Sequence, residues 1–185
     1  LDRNLYITDP LFFDVPTKEL ISEKYLKFRS KLINNNKSVP NFKPGNLENI
    51  KDKKIITGNN FEQKSTTHIS IVDKDGNAVS TTTTLNTAFG SGVIIEGTGI
   101  LMNNEMDDFS AKPNKPNYFE LLGSEANRIE PNKRPLSSMT PTIVFLNDKP
   151  ILVTGAQGGS RIITAVFQVI PVSYTHLRAH ETCVH

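Results

Sequence analysis

The chain has 185 residues, 37% of them hydrophobic and 22% charged, which is enough for a domain with a buried core. Its 21 basic and 19 acidic residues leave a formal charge of +2, so no strong field draws it to nucleic acid or to an anionic membrane. The longest apolar runs, Ile162 to Val172 among them, are too short and too interrupted to span a bilayer as a helix.

From the start, Leu1 to Val15 reads as irregular, with Asp9-Pro10 marking a turn. No charged and apolar leader pattern opens the chain. Ser22 is placed to cap a helix running to about Asn34, with Tyr25, Phe28, Leu32 and Ile33 on one apolar face. The stretch from Asn34 to Asn46 has the composition of an exposed linker, and Lys51 to Lys64 is polar, charged and poor in apolar residues.

The pattern changes at Thr66. Ile69 and Ile71 alternate with His68 and Ser70, then Asp73 to Asn77 gives a tight-turn signal, and Ala78 to Leu85 follows as a second strand. A turn centred on Asp75-Gly76 predicts a register that sets Thr66 opposite Leu85, with Thr84 beside it. Lys64 to Gly92 carries seven threonines. β-propensity explains most of them, and the meeting of Thr66 and Thr84 across the sheet suggests a site. Gly90, Gly92, Gly97 and Gly99 punctuate the next segment, and no Lys-Ser/Thr follows to make a P-loop.

Glu105, Asp107 and Asp108 then fall close together, and Ala111 to Pro135 reads as a polar loop. Strands are predicted over Thr142 to Leu146 and Ile151 to Thr154, joined by a turn at Asn147-Asp148. Gly155 to Gly159 is a glycine-rich turn, with Ser160 as the expected cap of a helix from Arg161 to about Val169. A strand, a glycine turn and a helix start together aim backbone N–H groups at one point, suited to a phosphate, a carboxylate or a developing oxyanion. Cys183 is the only cysteine, so no internal disulfide is possible. His176, His180 and Cys183 lack a further thiol or carboxylate to complete a metal site. No metal and no cofactor are expected.

Five motifs in order, "TTHISIVDKDGNAVS", "TLNTAFGSG", "GILMNNEMDDFS", "NKRPLSSMTPTIV" and "VTGAQGGSRIIT", resemble the γ-glutamyltranspeptidase family. The resemblance implies an α+β fold, part of the αββα sandwich of the N-terminal nucleophile hydrolases. It divides the chain into residues 1–65, the end of a large subunit, and residues 66–170, the start of a small catalytic subunit cut from the same precursor. The cut falls between Ser65 and Thr66 and leaves Thr66 with a free α-amine, whose reference pKa of about 7.7–8.0 suits it as base for its own hydroxyl. Thr66 is then the nucleophile and Thr84 its hydrogen-bond partner. Gly158 and Gly159 match the oxyanion-hole pair. Ser137 and Ser138 match the positions that bind the substrate's α-carboxylate, and Asn86, Glu105 and Asp108 those that hold its α-amino group. Donors suit the carboxylate, and acceptors with negative charge suit the ammonium.

The implied substrate is glutathione or another γ-glutamyl compound, with water, an amino acid or a peptide as acceptor and no nucleic-acid partner. Implied localisation is periplasmic or secreted for a bacterial source, and otherwise extracellular and membrane-anchored. His68 reads as structural, since this chemistry needs no imidazole. The run from Pro171 or Val172 to His185 matches nothing in the family and reads as a non-native tail. Apolar faces normally covered by the rest of the fold are expected to stand open. A catalytically incompetent or binding-only relative stays open as an alternative, as does a cephalosporin-acylase-like amidohydrolase.

Overall fold

The structure, a computed structural model, describes residues 2–34, 36–37, 44–47, 66–113, 115–117 and 121–177. The chain forms two compact units, each built from two stretches: residues 1–61 with 106–136, and residues 62–105 with 137–185. Most of the expected linker, all of the polar stretch ahead of Lys64, and Lys64, Ser65, His180 and Cys183 lie outside the described residues.

In the first unit three short helices precede the linker: α1 (Asp2–Tyr6), α2 (Thr17–Leu20) and α3 (Glu23–Ser30). The irregular reading of Leu1 to Val15 is thus corrected at α1. Too short to be stable alone, α1 is held by tertiary contact. Tyr6 is buried with Tyr25 and Leu47 in the unit's small core, and its hydroxyl donates to the Gly45 carbonyl. The Asp9-Pro10 turn is present, closed by Phe12 N–H donating to the Asp9 carbonyl at 3.0 Å. Ser22 caps α3 as expected, its Oγ accepting from Tyr25 N–H at 3.3 Å. The helix stops at Ser30, well short of Asn34. Only Tyr25 on it is buried, while Phe28, Leu32 and Ile33 stay exposed, so no packing extends it.

The second unit is built on antiparallel hairpins. Strands β1 (Thr66–Val72) and β2 (Ala78–Thr84) pair in a register that sets Thr66 directly opposite Thr84, one residue from the expected alignment. The turn is the cause. Asp73 N–H donates to the Asn77 carbonyl at 3.0 Å and Gly76 N–H to the Asp73 carbonyl at 3.2 Å. The loop therefore has three residues, Lys74, Asp75 and Gly76, with Gly76 left-handed at φ 86°. The Asp73 carboxylate accepts from Asp75 N–H, Asn77 N–H and Asn77 Nδ2 at 2.7–2.9 Å, which selects this loop. These bonds hold the Asp73 carboxyl below its ordinary pKa, with Asn77 the largest cause.

Strands β3 (Ile94–Ile95) and β4 (Ile100–Leu101) form a minimal second hairpin. Strands β5 (Thr142–Leu146) and β6 (Lys149–Thr154) form a third, through a two-residue turn with Asn147 and Asp148 both at positive φ. β6 begins two residues earlier than predicted, because a bulge opposite Val144/Phe145 accommodates Pro150.

Helix α4 (Ile162–Val172) follows a 3-10 turn over Gly159–Arg161. Ser160 lies inside that turn and Arg161 takes the cap position with no side-chain cap bond, a correction to the predicted start. Ile162 and Val166, one turn apart, bury one face of α4. The chain stays helical through Pro171 and a π-helical turn over Ser173–Leu177, so the backbone marks no break where the composition shifts.

Apolar surface stands open on this unit, as expected. Ile69, Ile71 and Val79 on the hairpin and Phe145 and Phe167 beyond it are each at least half exposed. No helix among the described residues is long and apolar enough to cross a membrane.

Candidate active site

Alternation along the first hairpin sorts its side chains into two faces. Residues 66, 68 and 70 stand opposite 84, 82 and 80, so one face carries Thr66, His68, Ser70, Ser80, Thr82 and Thr84. The other carries Thr67, Ile69, Ile71, Val79, Thr81 and Thr83. The hydroxyls therefore do form a stripe, and the Thr66–Thr84 pair is its end. In the one-residue-shifted register Thr84 would have faced the opposite side of the sheet from Thr66.

Thr66 is buried, and its Oγ1 donates to Thr84 Oγ1 at 3.4 Å. The same Thr84 oxygen accepts from Asn86 N–H at 2.9 Å. Asn86 is buried and left-handed at φ 75°, a conformation Asn tolerates better than most residues. Its Nδ2 donates to the Asn104 carbonyl at 3.2 Å, which orients the amide. Asn104 returns the connection, with its N–H on the Leu85 carbonyl at 3.1 Å and its Oδ1 accepting from Thr87 N–H at 3.2 Å. Glu105 follows, half-buried, with its N–H on Asn103 Oδ1 at 3.0 Å.

A chain of hydrogen bonds thus joins Thr66, Thr84 and Asn86 and ends on Asn104, the residue before Glu105. Asp108 falls in the other unit, at the end of a 3-10 turn over Glu105–Asp108. There its carbonyl accepts from Asn127 Nδ2 at 2.8 Å, and its charge opposes the burial that lowers the pKa of Arg3. Ser137 is exposed and its Oγ accepts from Met139 N–H at 3.1 Å, while Ser138 is half-buried.

Gly158 and Gly159 have φ values of 125° and 53°, which side chains rarely adopt, and Arg161 N–H closes their turn onto the Gly158 carbonyl at 3.0 Å. The glycine turn meets the first hairpin at Gly155. A Cβ there would fall on the His68 ring. That ring is held at both nitrogens, Nδ1 with Thr82 Oγ1 at 2.8 Å and Nε2 with Ser70 Oγ at 2.9 Å. Ser80 makes the second tie, accepting from Thr142 N–H at 3.1 Å and donating to the Thr154 carbonyl at 2.9 Å. His68 thus takes part in packing the hairpin against the glycine turn. Its specific task, and those of Ser80, Thr82 and Asn104, were missed. The signal available was the shared face of positions 68, 80 and 82.

Among the described residues no cluster of three or more His, Cys, Asp or Glu is placed to hold a metal ion. The arrangement offers a buried hydroxyl polarised by a second hydroxyl, with a fixed amide beyond it and a glycine turn anchored to the same hairpin. Such a set suits attack on a carbonyl.

The family model for gamma-glutamyltranspeptidase matches residues 1–181. The glutathione hydrolase proenzyme of Escherichia coli is 50% identical over 171 residues, which is 91% of this chain and 28% of that protein. The chain therefore spans 28% of that relative's length. An Arabidopsis thaliana protein with the words "inactive glutathione hydrolase 4" in its name is 39% identical over 165 residues, 87% of this chain and 81% of that one. Among solved structures, gamma-glutamyltranspeptidase from Pseudomonas nitroreducens complexed with L-DON is similar at TM-score 0.57 and 60% identity. It covers 58% of this chain and 56% of that one.

Proposed function

Because the chain belongs to the gamma-glutamyltranspeptidase family, we propose that it is part of a self-cleaving enzyme that takes a γ-glutamyl group onto Thr66 and passes it to water, an amino acid or a peptide. Glutathione is the proposed donor, consistent with relatives named glutathione hydrolase proenzyme. The observation that carries the reading is the buried Thr66 hydroxyl resting on Thr84 at the start of a strand.

In the precursor the Thr66 hydroxyl attacks the Ser65 carbonyl and the peptide bond is replaced by an ester. Water then hydrolyses the ester, leaving two chains that correspond to residues 1–65 and 66 onward. The freed Thr66 amine takes the hydroxyl proton when the substrate's γ-carbonyl is attacked. Gly158 and Gly159 N–H groups receive the developing oxyanion, and the leaving amine departs protonated. Ser137 and Ser138 take the α-carboxylate, and Asn86, Glu105 and Asp108 the α-ammonium. The completed fold is an αββα sandwich, to which this chain contributes the open apolar faces. In a bacterial source the enzyme works in the periplasm or outside the cell, and otherwise at the outer cell surface.

Intact mass spectrometry of the purified chain tests this. A new N-terminus at Thr66, absent from Thr66→Ala and slowed in Thr84→Ala, is the expected result. A γ-glutamyl anilide assay then tests transfer. An uncut chain under all conditions would refute self-processing by this polypeptide. The second reading, an incompetent relative, is favoured by the similarity to the shorter plant protein whose name carries the word inactive. It requires ligand binding that survives Thr66→Ala and no turnover in the parent.

A further inference from the structure

The first unit contains residues from both sides of the proposed cut. Its residues 1–61 would belong to one product and its residues 106–136 to the other. Several contacts join the two stretches, among them the Lys133 ammonium 5.8 Å from the centre of the Phe12 ring and the hydrogen bonds that follow. Ser124 Oγ donates to the Leu5 carbonyl at 2.9 Å. Thr8 Oγ1 lies 3.5 Å from Asn127 Oδ1. Asp9 accepts from Arg134 three times, from the backbone N–H at 3.0 Å, Nε at 3.0 Å and a terminal guanidinium nitrogen at 2.9 Å. The Asp9 side chain is fully buried, while the Arg134 side chain keeps 69% of its surface. The carboxylate is thus buried in the assembled unit, held by Leu11 N–H from its own stretch and by Arg134 from the other.

We propose that the Asp9–Arg134 pair, supported by the Ser124–Leu5 contact, is the latch that holds residues 1–65 to the remainder once the link between them is cut. The partner of this surface is the other product of the same chain. Planar two-point pairing through Nε and a terminal nitrogen makes the latch directional. Removing Arg134 would leave a buried carboxylate without its main partner, and removing the Asp9 charge would leave Arg134 facing a neutral amide. The cost of opening the latch therefore exceeds that of an exposed pair.

The proposal rests on the reading of Thr66 as the cut site only for its biological setting, and its test does not need self-cleavage. The full chain is prepared as Thr66→Ala with a site-specific protease sequence replacing residues 53–58, then nicked. The expected result is that both fragments elute together from a size-exclusion column. Arg134→Ala and Asp9→Asn should release the N-terminal fragment at least about tenfold faster, the equivalent of one charge-assisted bond. If either variant fails to fold before nicking, judged by circular dichroism, Arg134→Lys serves instead. It keeps the charge, loses the two-point geometry, and should also release faster than the parent. A nicked parent that falls apart on the column, or variants that release no faster, would overturn the latch. Self-cleavage is read separately from the mass of the chain with Thr66 intact, so failure of one proposal is not mistaken for failure of the other.

Discussion

Gly155→Ala is expected to destabilise the second unit, and by a route that one further substitution removes. The added methyl would overlap the His68 ring. The ring cannot simply step aside, because its two nitrogens are held by Thr82 at 2.8 Å and Ser70 at 2.9 Å. Giving up both bonds costs about 1–3 kcal/mol, at about 0.5–1.5 kcal/mol net for each. Overpacking a filled site costs a similar ~1–3 kcal/mol by relaxation of neighbours. Gly155 is not among the glycines at positive φ, so Ala meets no backbone penalty there. In a His68→Ala background the methyl has room, and Gly155→Ala should then be neutral or stabilising by about 0.4–1 kcal/mol through the unfolded chain. Urea denaturation of the parent, both single variants and the double variant gives the coupling, expected at about 1–3 kcal/mol. Costs that add to within about 0.5 kcal/mol would refute the claim that His68 sets the position of the glycine turn.

Two more expectations concern the turn and the core. Gly76→Ala meets no atom within 4 Å, so its cost is purely that of a left-handed Ala at φ 86°, about 1–2 kcal/mol. Gly76→Asn should recover much of it, and equal hydrogen-exchange protection of the hairpin in Gly76→Ala and the parent would contradict the three-residue loop. Burial, then the bond to Asp2 at 2.9 Å, pushes the Tyr25 hydroxyl up to about 12 from an ordinary 10.0. A raised folded pKa means that the stabilisation is complete below pH 10.0 and is lost as pH rises through about 12. A phenolate titration near 295 nm should show a late step that is lost in Tyr25→Phe and moves down in Asp2→Asn; a titration curve unchanged by Tyr25→Phe at its alkaline end would exclude this.

From the chain alone the first hairpin was legible, because Ile69 and Ile71 alternating with His68 and Ser70, an Asp-rich, Gly-containing turn and a threonine run after it leave few other conformations. The third hairpin and the Ser22 cap were legible for the same local reasons. So was the order of motifs, and with it the pairing of the Thr66 and Thr84 hydroxyls. The register was not. Two-residue and three-residue loops fit "DKDGN" equally by composition, and the choice between them depends on where the Asp73 carboxylate finds its N–H donors. That single step decides which face Thr84 occupies, and therefore whether it can reach Thr66 at all.

Helix α1, the early end of α3 and the loss of the Ser160 cap were likewise set by packing. Tyr6 has a core to enter, Phe28 and Leu32 do not, and the glycine turn tightens into a 3-10 start that displaces the cap. The ties between elements were least legible. His68 on Gly155 spans 87 positions and Asp9 on Arg134 spans 125, and no local pattern marks either. Short-range propensities and turn chemistry act over a few residues and can be read from the chain. Which polar groups meet across such separations is decided only when the chain closes and each buried donor and acceptor must find its partner.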